Sequence, residues 1–177
     1  MDIRLRPVTV EDAEALAHVL VSAQESAFRG IVPDQCLMFT EAESAANWRR
    51  FFTQEGLPAS DFMIVSESSL GEVIGYTWGG VNEDGSGEVR QLSVLPDYQG
   101  RGIGRQLVCH VAQRLADRGI HRMTVNVMRV NPNRAFYERL GATFLSEHPY
   151  DWDGVPFSEC TYLWADTRIL LDRPASP

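Results

Sequence analysis

Apolar and polar positions change period several times along the chain, and each change marks an element. Ile3 to Arg6 alternates, the signature of a strand with one buried face. Thr9-Val-Glu-Asp12 offers a hydroxyl cap and acidic residues for a first helical turn. Ala13, Leu16, Ala17, Leu20 and Val21 then recur at helical spacing as one apolar stripe. Phe28 to Pro33 reads as a loop. A second helix is predicted from Thr40 to Gln54, with Trp48, Phe51 and Phe52 on its apolar side. The middle of the chain is β, with strands at Phe62–Ser66, Val73–Val81 and Glu88–Val94 and turn chemistry at Ser69–Gly71 and Asn82–Gly87. Ile103, Leu107, Val108, Val111 and Leu115 predict a helix ending near Gly119. A strand follows at Met123–Val127. Pro132 to Leu140 reads as a short helix, with Pro at its start and Gly141 just past its end. Final strands near Thr143–Glu147 and Glu159–Trp164 flank a loop carrying Asp151 to Gly154. The order βααβββαβαββ predicts one α/β domain over residues 1–166, a mixed central sheet flanked by helices, with 167–177 a loosely held tail.

Composition narrows the function. The 177 residues are 44% hydrophobic and 23% charged, ordinary globular proportions that argue against disorder. Sixteen basic against 24 acidic residues give a formal charge of −8, which repels phosphate backbones and attracts cationic amines. No nucleic-acid partner is therefore expected. All the basic residues are arginine, which excludes lysine Schiff-base, pyridoxal phosphate and G-x-x-x-x-G-K-[ST] nucleotide chemistry. Cys36, Cys109 and Cys160 are too few and too dispersed for a disulfide framework or a zinc site. His18, His110, His121 and His148 show no metal-ligand spacing, so no metal is expected. Without a signal-like start or a membrane-length apolar run, the expected setting is cytoplasmic and reducing, with no membrane partner.

The chemically informative stretch is Gln91-Leu-Ser-Val-Leu-Pro-Asp-Tyr-Gln-Gly-Arg-Gly-Ile-Gly-Arg105. A strand runs into a glycine-rich turn that opens into an amphipathic helix. Helix N-termini present unpaired N–H groups and partial positive charge, which bind phosphate. Gly100, Gly102 and Gly104 admit a ligand to the backbone, and Arg101 and Arg105 add guanidinium groups in an otherwise acidic protein. Arg105 stands where a dinucleotide fingerprint would need its last glycine.

Gln99-x-x-Gly102-x-Gly104, after Leu92-Ser-Val94-Leu-Pro96, resembles the acyl-CoA motif of the GNAT superfamily of N-acetyltransferases. Asn131-Pro-Asn-Arg-Ala-Phe-Tyr137-Glu-Arg-Leu-Gly141 resembles that family's Asn…Tyr-Glu-x-Leu-Gly segment, and Ile3 to Asp12 resembles its first strand and helix. The likeness covers about residues 3 to 165. It implies the GNAT (acyl-CoA N-acyltransferase) fold, acetyl-CoA as co-substrate, and transfer to a primary amine of a small molecule or peptide. By that resemblance the strand Leu92-Ser93-Val94 parts from its neighbour to pair with pantetheine. Gln99 belongs to the cofactor motif, residues Gly100, Arg101, Gly102, Ile103, Gly104 and Arg105 would hold the pyrophosphate, and Asn131 would contact the cofactor arm. Tyr137 protonates the departing thiolate, and Glu88 stands where some members carry a general base. The Asn131-to-Tyr137 gap is six residues where many members have seven, which leaves Asn133 open to taking part of the Asn role. Ala142 replaces a common aromatic.

The chemistry requires such groups. An ammonium of pKa about 10.4 leaves on the order of one amine in a few thousand free at pH 7, so a base is needed. A thiol of pKa about 8.5 leaves better protonated. No cysteine lies on the matched motifs, so direct attack in a ternary complex is expected rather than an acyl-enzyme. Ala27 to Gly30, Asp151 to Val155, and the turn of Glu83 and Asp84 are candidate acceptor walls, and Phe28, Trp78 and Trp152 candidate pocket aromatics. If Glu88 is not the base, the amine would lose its proton to bulk water or to a carboxylate such as Glu83 or Asp84. On a regular strand Glu88, Arg90, Leu92 and Val94 share one face, with Glu88 about 20 Å from Val94 unless the strand bulges. A homodimer is among the assemblies open to such an enzyme. The rival reading is a non-catalytic acyl-CoA-binding or interaction module on the same fold.

Overall fold

The helical stripes pack on both faces of a seven-stranded sheet in a computed structural model that describes residues 3–171. The elements are β1 (Arg4–Pro7), α1 (Ala13–Phe28), α2 (Glu41–Arg50), β2 (Phe62–Glu67), β3 (Val73–Val81), β4 (Gly87–Val94), α3 (Ile103–Ala116), β5 (Met123–Met128), α4 (Ala135–Arg139), β6 (Thr143–Trp152), β7 (Val155–Trp164) and α5 (Arg168–Leu171). The strand order is β1-β2-β3-β4-β5-β7-β6, antiparallel throughout except for β4 beside β5. That one parallel pair is the one bridged by a helix, α3, as a parallel crossover requires.

Local chemistry explains the element starts. Asp12 accepts from the Thr9 N–H at 2.8 Å and from Arg6 through both carboxylate oxygens at 2.7 Å, closing the turn before α1. Thr40 and Glu43 form a capping box ahead of α2. Beyond Arg50 the helix widens into a π-type turn, Phe51–Glu55, and Trp48 stacks on Phe52 at 5.7 Å.

The alternation of β3 fixes the two layers. A Cβ on Gly75 would meet Leu107, and one on Gly79 would meet Val111 at 2.8 Å, so these positions of β3 face α3 at close range. Tyr76 and Trp78 point the other way, onto Trp48 of α2. The main core fills both interfaces, with Leu16, Ile74, Tyr76, Leu107, Leu115 and Trp164 fully buried. A separate small cluster joins Phe28, Val32 and Cys36 to Trp152, Val155 and Phe157.

The element order agrees with the expectation, and two details are corrected. The loop expected around residues 151–154 is the tip of a long hairpin, paired from Thr143↔Leu163 to Trp152↔Val155. Asp153 (φ 51°) and Gly154 (φ 81°) supply the two left-handed residues a tight hairpin turn demands, so both strands run to its edge. The expected loose tail begins with structure instead. Leu170 is buried, its carbonyl accepts from Cys109 Sγ, and Thr167 is fully buried. Residues 172–177 lie outside the described residues.

Candidate active site

The site arises where the parallel pair comes apart. β4 and β5 are in register only at Gly87↔Met123, Glu88↔Thr124 and Val89↔Val125. From Arg90 onward the strands separate, and a cleft of about 590 Å³ opens between them. Its walls include Leu92, Ser93 and Val94 of β4, the loop Gln99, Gly100, Gly102, Ile103, Gly104 and Arg105, and Asn131 and Tyr137. Eleven of the candidate positions, from three separate stretches of the chain, thus line one cleft. Arg101 is not on the wall; its guanidinium lies over the Tyr98 ring, 5.4 Å from the centroid.

The loop geometry suits a phosphate. Gly102 caps α3 with φ +84° and Gly100 has φ +72°, a region that side chains disfavour. A Cβ at either would meet nothing within 4 Å, so open space lies against this backbone. Gly104 differs, because a Cβ there would sit 3.2 Å from Phe136. Gln99 donates to the Val94 carbonyl at 3.0 Å, tying the loop to the end of β4. The Asn131 side-chain oxygen accepts from the Asn133 N–H at 2.8 Å and leaves its NH₂ group available; both asparagines line the cleft.

Tyr137 is held by aromatic packing against Phe136, Tyr162 and Trp164 and is 9% exposed. Burial pushes its hydroxyl pKa well above the ordinary tyrosine value, so it is a protonated donor throughout the neutral range.

Glu88 is placed differently from the expectation. It does not line the cleft. One oxygen accepts from Arg90 at 2.6 Å and the other from Asn126 at 3.0 Å. Arg90 also donates to Asp61 at 2.8 Å, and Asp61, nearly fully buried, accepts from the Trp78 indole at 2.8 Å. The cause lies in the register: Trp78 pairs with Gln91 but Gly79 with Val89, so Arg90 is the extra residue of a β-bulge. The bulge breaks the expected alternation. Glu88, Gln91 and Ser93 share the α1/α2 side, while Val89, Leu92 and Val94 share the α3 side.

A second cavity of about 460 Å³ meets the first at Leu20, Gln24, Gln91 and Trp152. Its walls join the apolar Trp48, Phe51 and Trp78 to Asn47, Arg50 and Glu55. Of the expected acceptor walls, Ala27 and Phe28 line the first cleft but Arg29 and Gly30 line neither cavity, and from Asp151 to Val155 only Trp152 lines them. Glu83 and Asp84 line neither cavity. Asp84 is occupied at the hairpin turn, accepting from the Ser86 N–H at 2.9 Å. Sequence reasoning missed Gln91, Asn126, Tyr150 and Glu159, all on the cleft wall.

The profile of the acetyltransferase (GNAT) family matches residues 28–142, the span that holds this loop and Tyr137. The chain belongs to the GNAT family. A GNAT relative along its whole length is the uncharacterized N-acetyltransferase YuaI of Bacillus subtilis, 25% identical over 178 residues, 97% of this chain and 99% of that one. A mycothiol acetyltransferase of Beutenbergia cavernae is 30% identical over 146 residues, 82% of this chain but 46% of its own length. The GNAT fold is shared with the PaiA N-acetyltransferase of Thermoplasma acidophilum, solved with coenzyme A, at TM-score 0.68 and 20% identity over 93% of this chain and all of that one. Among the described residues no helix is long and apolar enough to cross a membrane.

Proposed function

We propose that the protein transfers an acetyl group from acetyl-CoA to a primary amine of a small molecule or peptide, by direct attack in a ternary complex. The observation that carries this reading is the separation of β4 from β5 after Val89, with the glycine loop at one end of the cleft and Tyr137 on its wall. The backbone of Leu92 to Val94 would pair with pantetheine, and an N–H of that strand would polarise the thioester carbonyl. The N–H groups at Gly100 to Arg105 would hold the pyrophosphate. The amine nitrogen forms its bond to the carbonyl carbon, the carbon–sulfur bond breaks, and the Tyr137 hydroxyl gives its proton to the thiolate. No cysteine lines the cleft among the described residues, which supports attack by the amine itself.

The aromatic residues of the second cavity support an acceptor with a hydrophobic body beside its amine. Cytoplasmic residence and a homodimer accord with this reading. The test is release of free thiol from acetyl-CoA with a panel of aromatic, aliphatic and peptide amines. Amine-dependent release is expected. Tight acetyl-CoA binding with no release for any amine would make the protein a binding module.

A further inference from the structure

With Glu88 away from the cleft, the amine lacks an assigned partner for its proton. The described cleft wall holds one carboxylate, Glu159 on β7. Its side chain is 19% exposed, and His148 Nε2 of β6 lies 3.3 Å from Oε2. His148 is 43% exposed, so the pair reaches from the wall to solvent.

The side of the sheet matters as much as the wall. Cross-strand partners share a face. Met128 pairs with Glu159, and Glu159 with His148. Met128 packs with the Phe28 cluster at the end of α1, and Asn126, two residues earlier on the same face, reaches Glu88. Glu159 therefore lies on the α1/α2 side, where the second cavity opens. Tyr137 lies on the α3 side, stacked on Tyr162 and edge-on to Trp164, which alternate with Glu159 along β7. The parted strands thus have a proton donor on one side and a carboxylate on the other. A thioester held between them would meet its leaving-group acid and its nucleophile's base from opposite directions.

Resting on the proposed transfer, we infer that Glu159 is the catalytic base: it draws in the ammonium, takes its proton, and passes it through His148 to solvent. Two protons leave the amine nitrogen overall. One reaches solvent through Glu159 and His148, and one balances the proton that Tyr137 gives to the thiolate. Imidazole is the side chain suited to relay protons near neutral pH. The groups around Glu159 leave it this role. Tyr150 of β6 lines the same wall, its hydroxyl pKa raised by burial and by the nearby carboxylates of Glu159, Asp153 and Asp151. Arg129, at the end of β5, is engaged by Glu147, and Arg90 by Glu88 and Asp61.

The test is a pH–rate profile of wild type, Glu159→Gln and Glu159→Asp with one amine found in the panel, alongside calorimetric titration of acetyl-CoA. At pH 7, Glu159→Gln should lose about a hundredfold in kcat/KM for the amine. The loss should recover about tenfold per pH unit as free amine rises. Acetyl-CoA affinity should stay within twofold, and Glu159→Asp should keep the wild-type profile shape at reduced rate. A folded Glu159→Gln with the wild-type rate and profile overturns the assignment of Glu159 alone. If Gln at this position does not fold, an Asp variant equal to wild type at every pH overturns it. Acetyl-CoA binding without thiol release for any amine overturns both this assignment and the transfer reading.

Discussion

Replacing Tyr137 by Phe separates proton donation from packing. Phe keeps the ring contacts at 5.0, 6.5 and 6.2 Å to Phe136, Tyr162 and Trp164. Burial alone shifts the hydroxyl, with no hydrogen-bond partner offsetting it, so its removal should change stability by less than about 1 kcal/mol. The kinetic cost follows from the leaving group. A thiol of pKa about 8.5 is about 1.5 units above pH 7, so protonation favours departure by about 2 kcal/mol, roughly thirtyfold. A positioned acid contributes on the order of a hundredfold or more. Turnover at pH 7 should therefore fall thirty- to a hundredfold by these estimates. The deficit should shrink above about pH 8.5, where the thiolate is itself the stable species. Wild-type Tyr137 does not lose its proton over that span, because its raised pKa keeps it neutral. Single-turnover acetylation with preloaded acetyl-CoA measures the chemical step free of product release. A mutant within threefold of wild type at pH 7, or a deficit constant with pH, refutes the assignment.

Saturating acetyl-CoA should raise the melting temperature, since it binds the folded state; an unmoved melt rejects the cofactor. Gly102→Glu places a carboxylate in the phosphate path and strains a φ of +84°, so calorimetry should show at least tenfold weaker acetyl-CoA binding in a protein that still folds. Glu88→Gln should lower turnover less than tenfold and leave the pH profile's shape intact, because the residue holds Arg90 and Asn126 rather than the amine; a profile that loses its acid limb would contradict this. Asp12 is pushed up by burial, but its bonds to Arg6 more than offset that and hold its pKa below the ordinary value. Its contribution is present above about pH 4 and is lost as pH falls through the folded pKa. Arg6→Ala should thus melt a few degrees lower at pH 7, and melts down to pH 2.5 should show the gap closing below about pH 4.

The chain's local chemistry made most of this legible. The loop from Gln99 to Arg105 could be read from its residues, because a glycine turn opening a helix is a local event, whereas Tyr137 stood out only through the resemblance of its segment to a family motif. Glu88 was misread for a non-local reason. One extra residue at Arg90 shifts the phase of β4, and a bulge leaves no mark in a period-two pattern eight residues long. Glu159 stayed hidden for a related reason. Alternation with Cys160, Tyr162 and Trp164 assigns it a face, but only the pairing of β7 with β5 brings that face to the cleft. The long hairpin was recoverable from Asp153-Gly154, whose dipeptide is a turn signal between two strands as much as the centre of a loop.

The divided hydrophobic interior gives the walls of the cleft unequal resilience. Phe28, Val32 and Cys36, closed by Trp152 and Phe157, form an island apart from the core beneath α3. An island of three buried side chains should open at lower free energy than the sheet, and hydrogen exchange should show its amides exchanging before those of β3 and α3. Mild denaturant should then loosen the cleft wall at Phe28 and Trp152 while the sheet still stands, so a site resting on that wall would lose its shape before the fold is lost.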